Sequence, residues 1–121
     1  MIGFDKNISS IYRKKMENDL LLVLATCPSE EEAKLLSNKL LTESVAACVN
    51  ILPNIQSHYS WNDKIEQTAE YLLLIKTRSY HFDQVKLIVE KYISYEIPEC
   101  IAIKINDGST EYLNWLNNTL K

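Results

Sequence analysis

Residues 55–77 read IQSHYSWNDKIEQTAEYLLLIKT, and this stretch decides the fold. Its pattern predicts two long strands, Ile55–Trp61 and Lys64–Thr77, joined by a tight turn at Asn62-Asp63-Lys64. The second strand ends in Tyr71-Leu72-Leu73-Leu74-Ile75, which is apolar at every position. Because successive side chains of a strand point to opposite faces of the sheet, such a run must bury both of its faces.

The chain before this hairpin predicts a strand, a helix and a second strand. Leu20–Ala25 is a short apolar run that is stopped at Pro28, as in a buried strand. Ser29 and Glu32 form a capping box that begins a helix. The inward face of this helix is predicted to carry Ala33, Leu36, Leu40 and, beside them, Leu41.

The second strand, Val45–Leu52, leads directly into the hairpin. Pro53 interrupts it, and proline cannot donate a hydrogen bond to the ladder of a sheet. We therefore expect an edge strand with a bend or bulge at Pro53, which continues as Ile55–Trp61.

The chain after the hairpin predicts a helix, a short strand and a last helix. Ser79 is expected to cap the first helix, whose apolar residues are Phe82, Val85, Val89 and Tyr92. Cys100–Ile105 alternates apolar and other residues, which predicts an edge strand with one buried face. Ser109 or Thr110 should cap the last helix, which carries Tyr112, Leu113, Trp115, Leu116 and Leu120.

The predicted order is β-α-β-β-α-β followed by a C-terminal helix, which is the split βαβ or ferredoxin-like arrangement of the α+β class. This topology places the first and third strands at the centre of a four-stranded antiparallel sheet. These are the two strands with continuous apolar runs, so the hydrophobic pattern and the topology agree.

Length and composition indicate one domain, which we expect to span residues 20–121 of the 121-residue chain. Residues 1–19 are interpreted as an N-terminal tail without the apolar core of a secretory signal, an organellar transit remnant being the alternative. No run approaches the ~20 apolar residues of a membrane helix. A net charge of −3 argues against nucleic-acid binding. Three cysteines without CxxC spacing predict reduced thiols in the cytoplasm.

The predicted sheet requires a cover on its second face. The two helices of the β-α-β-β-α-β unit cover one face, whereas the central strands carry apolar residues such as Leu22 and Leu24 on the other. Leaving about six such side chains exposed would forgo on the order of 10 kcal/mol. The last helix covers part of this face, and we expect copies of the chain to cover the rest in a symmetric homo-oligomer.

Several motifs in order resemble the CutA-type divalent-cation tolerance family, and the resemblance extends from Leu20 to Lys121. The matching segments are Leu40-Leu41, Ala46-Ala47-Cys48-Val49-Asn50, Tyr59-Ser60-Trp61-Asn62-Asp63-Lys64-Ile65-Glu66-Gln67, Glu70, Ile75-Lys76-Thr77, Tyr95-Glu96-Ile97-Pro98-Glu99 and Tyr112-Leu113-Asn114-Trp115-Leu116. The resemblance implies a tight homotrimer of ferredoxin-like subunits, associated with tolerance to copper and other divalent ions. The architecture is also similar to that of trimeric PII-type signalling proteins, by analogy of fold alone.

The resemblance implies a polar cleft at a subunit boundary. Its expected members are Trp61, Lys64, Glu70, Lys76, Tyr95 and Glu99. Lys76 is costly in an apolar strand unless it is paired, and we expect Glu99 or Glu70 as its partner. Lys76 and Tyr95 would then face an anionic or metal-bound ligand. The alternative is an ion pair with aromatic packing that holds the trimer together.

Cys48 lies at the position of the family's cysteine, and a thiolate suits soft ions such as Cu(I). Its alternative interpretation is a small core residue. His58 and His81 have no partner at ligand spacing, so a metal site would require convergence in space. Many relatives carry His where this chain has Ile93, so we expect weaker metal binding or a different site.

No catalytic motif occurs, whether a nucleophile elbow, HExxH or a P-loop. An acylphosphatase-like phosphate cradle and the paired aromatics of an RNA-recognition strand are also missing from the sequence. The leading hypothesis is a non-enzymatic homotrimeric protein of metal tolerance that binds copper or another divalent cation weakly. The alternatives are a PII-like sensor of a small anionic effector and a structural trimer that binds another protein.

Overall fold

A computed structural model describes residues 19–120 of the protein, so nearly all of the predicted tail lies outside the described residues. The elements are β1 (Leu20–Cys27), α1 (Glu30–Thr42), β2 (Cys48–Trp61), β3 (Lys64–Arg78), α2 (Phe82–Tyr92), β4 (Ile101–Lys104) and α3 (Thr110–Thr119). A 3-10 turn at Ser79–His81 precedes α2. The sheet order β2-β3-β1-β4 is antiparallel throughout, which confirms the predicted ferredoxin-like topology with β1 and β3 at the centre.

The hairpin of β2 and β3 has the predicted turn and bulge. Asn62 and Asp63 both adopt positive φ, as a two-residue type I′ turn requires. The register jumps from Leu52↔Leu72 to Ile55↔Glu70, so two residues of β2 oppose one of β3. The hairpin therefore pairs along its whole length and bends at Pro53.

The main core lies between α1, α2 and one face of the sheet. Its fully buried side chains include Val23, Leu36, Leu73, Ile75 and Val89. Ser29 caps α1 as predicted, because its side chain accepts a hydrogen bond from the backbone N–H of Glu32. Leu41, which was predicted for the inward face, is 42% exposed instead.

Ser79 does not cap α2. Its hydroxyl donates to the carbonyl of Asp19, and the helix begins three residues later after the 3-10 turn. The prediction was wrong because the end of β3 is tied to the start of β1, where the N–H of Ser79 also bonds to Asp19. Ser79 is therefore used to close the strand pair.

The second face of the sheet, called here the reverse face, is covered at one end only. Leu113, Leu116 and Leu120 of α3 bury Leu20 and Ala47 there. Arg78 also holds this helix through a hydrogen bond to Asn117. Beyond α3 the reverse face carries partly exposed apolar side chains: Leu22, Leu24, Leu52, Leu72, Leu74, Ile101 and Ile103.

The buried face predicted for β4 does not form within the subunit. Ile101 and Ile103 of β4 are 52% and 47% exposed. Tyr112 and Trp115 of α3 are about half exposed and stack on each other at 5.7 Å between ring centroids. The three leucines anchor the helix instead.

Leu73 is the side chain on which the main core should depend most visibly. It is fully buried on the central strand β3, so Leu73→Ala should lower the free energy of unfolding by about 2–5 kcal/mol. Leu87, 63% exposed on α2, is the matched control. Leu87→Ala should change stability by less than about 0.5 kcal/mol in the same chemical denaturation experiment. Equal effects of the two substitutions would contradict this assignment of the core.

Candidate functional site

An open cavity of about 750 Å³ lies at the other end of the sheet, beside the bulged half of the hairpin. We call it the acidic cavity. It is lined by Thr26, Ser57, His58, Tyr59, Trp61, Glu66, Glu70, Tyr95, Glu96, Ile97 and Glu99. Four of these residues are glutamates, and no lysine or arginine is among the described residues that line it. The cavity therefore offers negative charge and aromatic surface.

The bulge and the hairpin turn bring the β2 and β3 residues to the cavity. Beyond Pro53 the register pairs Tyr59 with Glu66 and Ile55 with Glu70. Glu66 and Glu70 are four residues apart on β3, about 13 Å at the rise of a strand. Carboxylates therefore lie both at the outer hairpin and at its base.

The loop between α2 and β4 supplies the opposite wall. Its first residues are tied to the start of α1, since the backbone N–H and the hydroxyl of Ser94 donate to the Glu32 carboxylate at 2.9 and 2.8 Å. Ile93, which precedes Ser94, is 4% exposed and packs in the main core. These two contacts fix the place of Tyr95.

Glu70 and Tyr95 form the buried floor of the cavity. Glu70 is only 7% exposed. The Tyr95 hydroxyl is buried and makes no hydrogen bond of normal geometry within residues 19–120. Burial, followed by the interaction with the Glu70 carboxylate, raises the pKa of Tyr95, so this phenol stays protonated at neutral pH.

The Glu99 carboxyl is affected by burial and by the negative charge of Glu70. Burial raises the pKa of the Glu99 carboxyl, and repulsion from Glu70 raises it further. No ion pair involving Glu70 or Glu99 forms among the described residues. A cation in the cavity would relieve the repulsion between the two carboxylates.

The structure brings four of the six predicted cleft residues together: Trp61, Glu70, Tyr95 and Glu99. Lys64 is exposed beyond Trp61 at the hairpin turn and does not line the cavity. Lys76 lies six residues from Glu70 along β3, about 20 Å away. Within one subunit the two lysines therefore do not face the same ligand as Tyr95.

Within one subunit Lys76 does not pair with Glu70 or Glu99. Its ammonium group donates to Asn50 Oδ1 at 2.7 Å and to the Tyr112 hydroxyl at 3.2 Å. The Tyr112 ring also lies 5.5 Å from this ammonium group. Amide and phenol oxygens at the α3 end of the reverse face thus solvate the charge that was expected to need a carboxylate.

The predicted metal ligands lie apart from one another. Cys48 is half-buried on the reverse face, where its Sγ lies 3.9 Å from Asn50 Oδ1. His58 lines the acidic cavity, whereas the ring of His81 packs against Tyr80. No three His, Cys, Asp or Glu side chains converge on a metal position in the described part of the chain.

Sequence reasoning did not place seven of the eleven lining residues in the cleft: Thr26, Ser57, His58, Tyr59, Glu66, Glu96 and Ile97. Glu66 and Glu96 stood in segments that were singled out, but their convergence depends on the bulge register and on the Ser94–Glu32 contact. Both involve residues far apart in sequence. The count of acidic residues in the two segments was the only local signal.

The fold and the cavity define a ferredoxin-like α+β protein with an acidic pocket at the base of its hairpin, and comparison with known proteins gives its family. Residues 21–119 match the family model described as CutA1 divalent ion tolerance protein. Protein CutA 1, chloroplastic, from rice (Oryza sativa subsp. japonica) is 37% identical over 121 residues, covering 96% of this chain and 68% of that protein. The divalent-cation tolerance protein CutA of Thermus thermophilus is 42% identical over 95 residues, covering 78% of this chain and 92% of that protein.

Solved structures agree with the sequence match. The crystal structure of CutA from Xylella fastidiosa superposes with a TM-score of 0.82 at 39% identity, covering 85% of this chain and 99% of that one. The chain therefore belongs to the CutA1 divalent ion tolerance family, which confirms the resemblance. Among the described helices, none has both the length and the apolar character needed to cross a membrane.

Repulsion between Glu99 and Glu70 predicts a pH-dependent effect of Glu99→Gln. Because the folded state raises the pKa of Glu99, ionisation of this carboxyl costs stability above that pKa, and the cost disappears below its ordinary value. Glu99→Gln should therefore raise the melting temperature at pH 7 and leave it unchanged near pH 3. The gain should stay below about 1 kcal/mol, since solvent screens this open site.

Glu90→Gln is the control for this experiment, because Glu90 is exposed on α2 and does not line the cavity. It should leave the melting temperature unchanged at both pH values. A Glu99→Gln variant that melts at a lower temperature at pH 7 would show that the carboxylate has a stabilising partner.

Proposed function

We propose that this protein is a non-enzymatic homotrimer that contributes to tolerance of copper and other divalent ions by binding them reversibly. Membership of the divalent ion tolerance family supports the class of ligand. The observation that carries the proposal is the acidic cavity, where Glu70 and Glu99 are two of four lining glutamates and have no counter-ion among the described residues. A divalent cation would neutralise this pair, whereas the small anionic effector of a PII-like sensor would meet four glutamates there.

Cation contacts at the cavity would be weak within one subunit, because the described side chains do not form a closed ligand set. Glu70, Glu99 and His58 line the cavity as separate oxygen and nitrogen donors, and they do not converge on one metal position. Cys48 remains the proposed thiolate for Cu(I) at a separate position on the reverse face. The chain has three cysteines, and none of them forms a disulfide. Free thiols suit a reducing compartment, and we propose the cytoplasm.

Assembly into a trimer is proposed from the reverse face. Leu22 and Leu24 of β1 pair with Ile103 and Ile101 of β4, so their side chains form one apolar surface across the sheet. Leu74 continues it on β3. A surface of this kind on a lone subunit would be an aggregation liability, and burial by other copies removes it from water.

The assembly proposal predicts a change of mass for Ile103→Lys. A charge on this apolar surface, at its β4 edge, would remain without a partner if copies of the chain cover it. The variant should therefore sediment as single subunits or small aggregates at micromolar concentration. Leu87→Lys places the same charge on the outer surface of α2 and should keep the mass of the unchanged protein. Unchanged sedimentation of Ile103→Lys would exclude this face from the interface.

Calorimetric titration with Cu(II) and Zn(II) tests the cation contacts. The unchanged protein should release or absorb heat above the buffer blank, and Glu99→Gln should weaken binding by roughly tenfold, because one of few charged ligands is lost. Glu90→Gln should bind as the unchanged protein does. The absence of any heat at micromolar protein would remove cation binding from the proposed function.

A further inference from the structure

The acidic cavity has more room and more aromatic surface than a single metal ion uses. A volume of about 750 Å³ lies in the range of sites for small organic ligands. Tyr59, Trp61 and Tyr95 line it together with the glutamates. Aromatic faces attract alkylammonium groups through cation–π interactions, and carboxylates accept their hydrogen bonds.

The floor of the cavity holds two polar groups, Glu70 and Tyr95, that interact with each other. Glu70 is only 7% exposed and has no ion pair with any described residue. The buried hydroxyl of Tyr95 has no hydrogen-bond partner of normal geometry there. Since no described cation pairs with the Glu70 carboxylate, a cationic donor in the cavity would find a charged hydrogen-bond acceptor there.

The arrangement of the carboxylates favours a long ligand with several charges. Glu70 lies at the buried end, and Glu66 lies about 13 Å farther along β3 toward the hairpin turn. Glu96 and Glu99 follow the opposite wall. We propose that the acidic cavity binds a linear aliphatic polyamine, with one primary ammonium group at Glu70 and Tyr95, its methylene chain against Trp61, and a second ammonium group near Glu66.

This inference shares the cavity with the proposed divalent-ion contacts but requires a different ligand, so the two can fail separately. The probe is spermidine, added to the full chain carrying Trp115→Phe. The chain has two tryptophans, so Trp61 is then the only one, and its fluorescence reports the cavity. Calorimetry on the unchanged protein gives the stoichiometry.

We expect saturable spermidine binding with one site per chain. Affinity should fall from spermidine to the diamine putrescine and again to butylamine, as ammonium groups are removed. Glu70→Gln keeps the shape of the side chain and should weaken spermidine binding by about tenfold or more. Glu90→Gln removes an exposed charge outside the cavity and should change the affinity less than twofold, since a distant charge acts only through the screened field.

Trp61→Leu provides a second test by calorimetry if Glu70→Gln fails to fold, because Trp61 is 39% exposed and carries little of the core. It should weaken spermidine binding several-fold. Unsaturable binding, equal affinity for butylamine, or equal affinity of both Glu→Gln variants would overturn the polyamine site. Zinc binding without spermidine binding would overturn the polyamine site and leave the proposed divalent-ion binding intact. Spermidine binding without zinc binding would support the polyamine site and contradict the divalent-ion contacts.

Discussion

The burial of both faces of β3 is the constraint on which the rest of the structure depends. Residues Tyr71–Ile75 are apolar without interruption, so one sheet face cannot satisfy them. Leu73 and Ile75 face α1 and α2 and are fully buried. Leu72 and Leu74 face the reverse side, where α3 covers only one end of the sheet, around Leu20 and Ala47. Within one subunit, the core between the sheet and helices α1 and α2 is therefore complete, whereas the apolar side chains of the reverse face stay partly exposed.

Strand β3 also connects the reverse face to the acidic cavity. Glu70 precedes the apolar run on β3, and Lys76 follows it. The strand separates these opposite charges by about 20 Å, so they cannot neutralise each other. Lys76 is solvated by Asn50 and Tyr112 at one end of the sheet, and Glu70 is left as a buried carboxylate at the other. This separation leaves the cavity without a lysine or arginine among the described residues that line it, and the proposed cation site rests on that.

The predictable parts of the fold were those encoded by local patterns. The apolar run of β3, the Ser29 cap, the Asn62-Asp63 turn and the bulge at Pro53 each depend on a few neighbouring residues, and all are confirmed. The failures concern contacts between distant segments. Ser79 donates a hydrogen bond to the Asp19 carbonyl and does not cap α2. Within the subunit, Lys76 donates to Asn50 and Tyr112 and not to a glutamate. Most residues of the acidic cavity were missed for the same reason, because contacts between distant segments, such as the one between Ser94 and Glu32, position its walls.

The central claim is that copies of this chain cover the reverse face of the sheet. Sedimentation equilibrium of the purified full chain, over a range from nanomolar to micromolar protein, measures this most directly. The account predicts a single species of three times the 14.0 kDa chain mass throughout the micromolar range. A soluble, folded species with the mass of one chain at those concentrations would contradict it.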